Sequence, residues 1–111
     1  MNALPSRLVV SGIVRAADAA GGSAAVLARG DADSGGILLV GYDRGAGPWL
    51  FERGFTAAGH RAVGRVGPEN GDERAVADYW ARRRRSDPDL WVVEVNVARV
   101  ERFAAETIPS D

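Results

Sequence analysis

The side chains able to do chemistry gather in two acidic turns and one basic run. Asp31 and Asp33 lie in Arg29-Gly30-Asp31-Ala32-Asp33-Ser34-Gly35, Asp87 and Asp89 flank Pro88, and Arg82, Arg83, Arg84 and Arg85 come just before the second turn. Aspartates two apart open a calcium loop, but position five is Gly35 and position twelve is Tyr42, where a bidentate glutamate is needed, so no metal is expected. His60 is the single imidazole and falls in the glycine-broken stretch 54–71, where a solvent-facing loop histidine is the simpler reading. A serine hydrolase would need Ser34 or another serine beside that ring, and there is no Gly-x-Ser-x-Gly elbow. No Gly-x-Gly-x-x-Gly joins a strand to a helix, so no dinucleotide cofactor is expected. The chain has no cysteine and no lysine, which removes thiolate, Schiff-base and phosphate-loop lysine chemistry. No catalytic residue is assigned, and the balance is against an enzyme.

The arginine run admits two readings. As a binding feature, Arg82 to Arg85 would hold an anion or nucleic acid, with Tyr79 and Trp80 stacking on bases. As a structural feature, it places positive charge at the negative end of a helix dipole, with Asp87 and Asp89 neutralising it. Four consecutive helical residues spread around all sides and form no single strip, which favours the structural reading. Trp49 and Phe51, alternating on one strand, are candidates for an apolar interaction surface if they are exposed.

These residues need elements to position them. Pro88 pushes Asp87 out of the helical region and ends a helix that starts after Asp72 and runs to about Arg84. The last strand, Leu90 to Val97, then alternates, with Trp91, Val93, Val95 and Val97 on one face and Glu94 and Asn96 on the other. Strands are expected over Ala24–Arg29, Gly36–Tyr42 and Trp49–Arg53, with Arg61–Val66 as an edge strand. The links between the first three are short, which favours antiparallel neighbours. Ile37 to Val40 has no polar face, so that strand is central and covered on both sides. Residues 7–20 show apolar groups at helical spacing between Ser6 and Gly21-Gly22, although the β-branched Val9, Val10, Ile13 and Val14 keep a strand over 8–14 as the alternative. Val100, Phe103 and Ala104 suggest a short terminal helix. In an antiparallel sheet both acidic turns reach one edge, with Arg29 and Arg82 to Arg85 facing them.

At 111 residues, 46% hydrophobic and 26% charged, the chain reads as one soluble domain over 1–111, with no membrane partner. A formal charge of −1 is not that of a chain held to nucleic acid mainly through phosphates. The apolar stretch Leu8 to Val14 loosely imitates a signal peptide but is cut short by Arg15 and Asp18; the missing cysteine fits a reducing compartment, and a cytoplasmic location is expected.

Residues 29–40, together with Tyr79 to Arg85 and Asp87-Pro88-Asp89-Leu90-Trp91-Val92-Val93-Glu94-Val95, resemble a family of short bacterial proteins catalogued as domain of unknown function 1491. The resemblance covers nearly the whole length, is weakest over 54–71, and departs at the serine before Asp87 and in the tail past Val97. It implies a small bacterial, cytoplasmic protein and supplies no catalytic residues.

The fold expected is therefore α+β: an antiparallel sheet of four or five strands packed by two main helices, with Trp80, Trp91, Val93, Val95, Ile37 and Leu39 in the core. The function expected is a non-enzymatic interaction module for a protein partner or for self-association. The alternative is nucleic-acid or anion binding through Arg82 to Arg85.

Overall fold

The computed structural model describes residues 4–69 and 71–109. Helix α1 (Ser6–Ala19) opens the fold. Its β-branched residues are poor helix formers, but Val9, Val10, Ile13 and Ala17 recur on one face and are buried, and tertiary burial outweighs that local preference. The helix ends where the glycine pair predicts. Gly21 takes φ 79°, its amide donates to the Asp18 carbonyl, and the Gly22 amide donates to the Ala17 carbonyl, the double closure of a Schellman turn.

Five strands follow: β1 (Ser23–Ala28), β2 (Ile37–Asp43), β3 (Ala46–Phe55), β4 (Arg61–Val66) and, after helix α2 (Glu73–Ser86), β5 (Trp91–Asn96). Helix α3 (Val100–Thr107) completes the order. The fold is α+β as expected, and both principal helices and all five strands stand close to their anticipated positions. Asp72 caps α2 by accepting from the amides of Arg74 and Ala75.

The sheet departs from expectation in one respect. Its order is β1-β5-β2-β3-β4, and β5 runs parallel to β2 while the other three pairings are antiparallel. The short link after β1 therefore does not join sheet neighbours. Helix α2 carries the chain from β4 back across the sheet, the long connection that a parallel pair requires, and β5 slots between β1 and β2. Its register sets Trp91 beside Ile37 and Val26 beside Val93.

Helices α1 and α3 cover one face, over Leu39, Phe51, Trp91, Val93, Val95 and Val97. Helix α2 covers part of the other, with Val76 packed among Leu38, Val40, Leu50, Leu90 and Val92. Strands β2 and β5 are thus buried on both sides, which accounts for their near-continuous aliphatic runs. Two expected core residues, Ile37 and Trp80, are half-buried at its margin. Gly41 leaves room on β2 for α3: a Cβ there would lie 2.7 Å from Val100 Cγ2.

Candidate functional site

The first acidic turn and the start of β5 do meet, at one end of the strands. The 29–36 link must pass over the start of β5 to reach β2, and it does so in close contact. The Asp31 amide donates to the Asp89 carbonyl at 2.9 Å, and the Trp91 amide donates to the Gly36 carbonyl at 2.8 Å. The Trp91 indole Nε1–H donates to the Asp31 carbonyl at 2.7 Å, and the Arg29 guanidinium lies over the Trp91 ring, 5.2 Å from its centroid. A Cβ on either Gly30 or Gly35 would stand 2.0 Å from the Asp89 carbonyl oxygen, so both positions need glycine for close approach.

The same link also caps α1. The amides of Ser6 and Arg7, among the first-turn donors left open by the helix, bond to the carbonyls of Asp33 and Ala32 at 3.1 and 2.9 Å. Ser6 does not cap through its own oxygen; its buried hydroxyl donates to the Gly35 carbonyl at 2.5 Å. Arg7 pairs with the Asp33 carboxylate at 2.8 Å, but both side chains are largely exposed and the pair adds little stability.

Asp31 shapes the turn from within. Its Oδ2 accepts from the amides of Asp33 and Ser34 and from the Ser34 hydroxyl. These bonds, the Ser34 amide first, hold its pKa below the ordinary 3.8. A carboxylate whose folded pKa is depressed contributes stability above the unfolded value and loses it as pH falls through the folded one. Asp31→Ala should therefore lower the urea midpoint at pH 7, with the gap to the wild type narrowing below about pH 4. An equal gap at neutral and acid pH would show that the ionised carboxylate is not what holds the turn.

The second turn is built alike. Asp87 accepts the Asp89 amide on Oδ1, and the Leu90 amide closes onto the Asp87 carbonyl at 3.1 Å. The arginine run, however, does not face the aspartates. Arg84 reaches the carbonyls of Pro88 and Leu90, so it holds the turn by its backbone. Arg83 makes a bidentate pair with Glu52 on β3, at 2.6 and 2.8 Å, and touches the Tyr79 hydroxyl. The Glu52 carboxylate, more than any other cause, pushes the Arg83 pKa up. Arg82 lies 6.0 Å from the Tyr79 ring centroid. Arg82 and Arg85 stay exposed. Two members of the run, Arg83 and Arg84, are thus committed to intramolecular partners. The Arg83–Glu52 pair had no local signal, since its residues are 31 apart in sequence.

The other candidates separate. Phe51 is 1% exposed in the core, and Trp49 is half-buried beneath Arg65, so the two form no exposed apolar patch. His60 is exposed in the β3–β4 turn, and its ring meets no serine or carboxylate among the described residues. At the far end of the sheet an open groove runs past Gly21, Gly22, Ser23, Arg44, Asn96 and Val97. The Asn96 side chain there already accepts the Gly45 amide. No described helix is long and apolar enough to cross a membrane.

One surface feature lay outside the sequence-level candidates. Strand β1 ends the sheet with its outer edge unpaired, and Val26 and Leu27 on it are 39% and 41% exposed. The six residues Ser23–Ala28 carry no charge. The opposite edge, β4, carries Arg61 and Arg65.

The fold defines a small α+β domain with a mixed sheet, in which the two motif turns lock β5 between β1 and β2. The chain belongs to the family described as protein of unknown function (DUF1491), whose model matches residues 4–105. It is similar to the crystal structure of a DUF1491 family protein from Caulobacter crescentus, at 30% identity and TM-score 0.80, covering 96% of this chain and 98% of that one. An NMR structure of a DUF1491 family protein from the same organism matches at 30% identity and TM-score 0.76, covering 96% and 97%. A solution structure from A. tumefaciens, 24% identical with TM-score 0.74 over 97% and 96% of the two chains, shares the fold. Comparison with curated proteins finds no match.

Proposed function

We propose that the protein is a non-enzymatic, cytoplasmic interaction module that takes an extended segment of a protein partner onto the free edge of β1. The observation that carries this reading is the contrast between the two sheet edges. An unpaired edge offers a row of backbone donors and acceptors to any incoming strand, and soluble proteins usually guard it with charge. Arg61 and Arg65 guard β4; β1 has no such residue and presents Val26 and Leu27 instead. Strand addition takes its affinity from main-chain bonds and its specificity from alternate side chains, which suits a short apolar edge.

The test compares wild-type bait with Val26→Lys and Ala25→Lys in extracts of the native bacterium, after confirming that both variants melt like the wild type. A partner held by the wild type and lost from both variants, and whose binding slows amide exchange over residues 23–26, supports the reading. Identical retained proteins, or a partner that leaves β1 exchange unchanged, would overturn it.

A further inference from the structure

We infer that the strand received by the β1 edge is β1 of a second copy, so that two five-stranded sheets join antiparallel about a twofold axis. This inference rests on the edge-strand reading above and names its partner. The first support is electrostatic. About a twofold axis a residue at the centre of the seam meets its own copy and its neighbours meet each other, so a charge at the centre would oppose itself, an arrangement that destabilises strand pairs. Ser23–Ala28 carries none, and each copy has a formal charge of only −1, so long-range repulsion is weak.

Register gives the second support. A bulge between Val26 and Ala28 interrupts the pairing of β1 with β5, leaving Ser23–Val26 as the regular run. Centring the axis on Ala25 sets that residue against the partner subunit's Ala25 and each Val26 against the partner's Ala24, large against small on the face that α1 covers. Ala24 lies at the margin of the core on that face, so the seam continues an existing apolar surface.

The third support is closure. With β4 guarded by arginine, β1 is the single uncharged edge, and two copies paired through it leave no second such edge for a third. The assembly is an isologous dimer and not an open filament. A seam built on one short strand is smaller than a standard interface, so the dimer dissociates on dilution.

Sedimentation over a dilution series should show the mass rising from 11.7 kDa toward twice that value. Val26→Lys should hold it at the lower figure with the melting curve unchanged. Because the chain has no cysteine, Ala25→Cys introduces a single thiol. Under mild oxidation it should form a linked dimer about tenfold faster than Ala57→Cys in the β3–β4 loop, since the seam raises its effective concentration. A mass of 11.7 kDa at every concentration, with both thiols linking at the same slow rate, would overturn self-pairing. So would a dimer insensitive to Val26→Lys. In either case, a partner that still depends on β1 would leave the edge-strand reading standing, and the loss of that partner as well would remove both.

Discussion

Trp91→Ala is expected to lower stability by about 3–5 kcal/mol, the range for deleting a large buried aromatic side chain. For a domain of this length that is a fall of roughly 15–30 °C in melting temperature. The size of the effect follows from position. Trp91 is 2% exposed, opens the strand that pairs with both β1 and β2, and packs among Leu39, Val93 and the buried faces of α1 and α3. It also holds the first acidic turn through its indole N–H and carries Arg29 on its ring. Trp91→Phe separates these contributions, because it keeps most of the packing and loses the donor to Asp31. That variant should cost about 1–2 kcal/mol, a hydrogen bond plus a small loss of volume. Thermal melts of both proteins decide it. Equal losses for phenylalanine and alanine would put the energy in the hydrogen bond and refute the packing argument.

The second large effect is Gly35→Ala, with Gly36→Ala as its neighbour control. The two substitutions add the same methyl one residue apart. At Gly35 it lands 2.0 Å from the Asp89 carbonyl oxygen, while at Gly36 its nearest neighbour is a Leu90 methyl at 3.5 Å, an ordinary contact. The Asp89 carbonyl cannot retreat easily, since it accepts the Asp31 amide and is separated from β5 by Leu90 alone. Relief must come from lifting the turn, which breaks its bonds to β5 and uncaps the first turn of α1. We expect Gly35→Ala to cost about 1–3 kcal/mol, in the range of core overpacking. Gly36→Ala should stay within about 0.5 kcal/mol. Urea midpoints measure the difference, and exchange at the Ser6 and Arg7 amides should quicken in the first variant alone. Similar midpoints for the two would mean that the link over β5 is loose.

Much of the architecture was legible because it depends on local rules. Pro88 ended α2 within two residues of the expected point, Asp72 capped it, Gly21-Gly22 closed α1, and the alternation from Trp91 to Val97 gave a strand with its predicted inner face. The aliphatic run 37–40 was read correctly as a covered central strand because a polar face is absent. What escaped was non-local. Nothing in the spacing of β1 and β2 says that a strand made some 60 residues later separates them, and so nothing announced the parallel pair. The two motifs were read as acidic turns that Arg29 and Arg82 to Arg85 would face. Their contacts run instead through backbone carbonyls, an indole N–H and the absence of two side chains, to which residue-type reasoning is nearly blind. Phe51 looked like half of a surface pair because period-two alternation does not say which face α3 covers. The β1 edge drew no notice for the opposite reason, since small uncharged residues carry no motif.

The strand order has a consequence for how the chain acquires its structure. Strands β2, β3 and β4 are consecutive and antiparallel, so they can pair as soon as they leave the ribosome. Strand β1 is made earlier, but its sole partner in the sheet is β5, whose residues emerge after α2. The first quarter of the chain therefore waits, with its apolar strand uncovered, for nearly the last quarter to arrive. Closing a loop of that length is the kind of step that slows folding, and an unpaired strand held open meanwhile is open to other chains as well. The order that buries β5 so thoroughly in the finished molecule also makes the ends of the chain the last parts to settle.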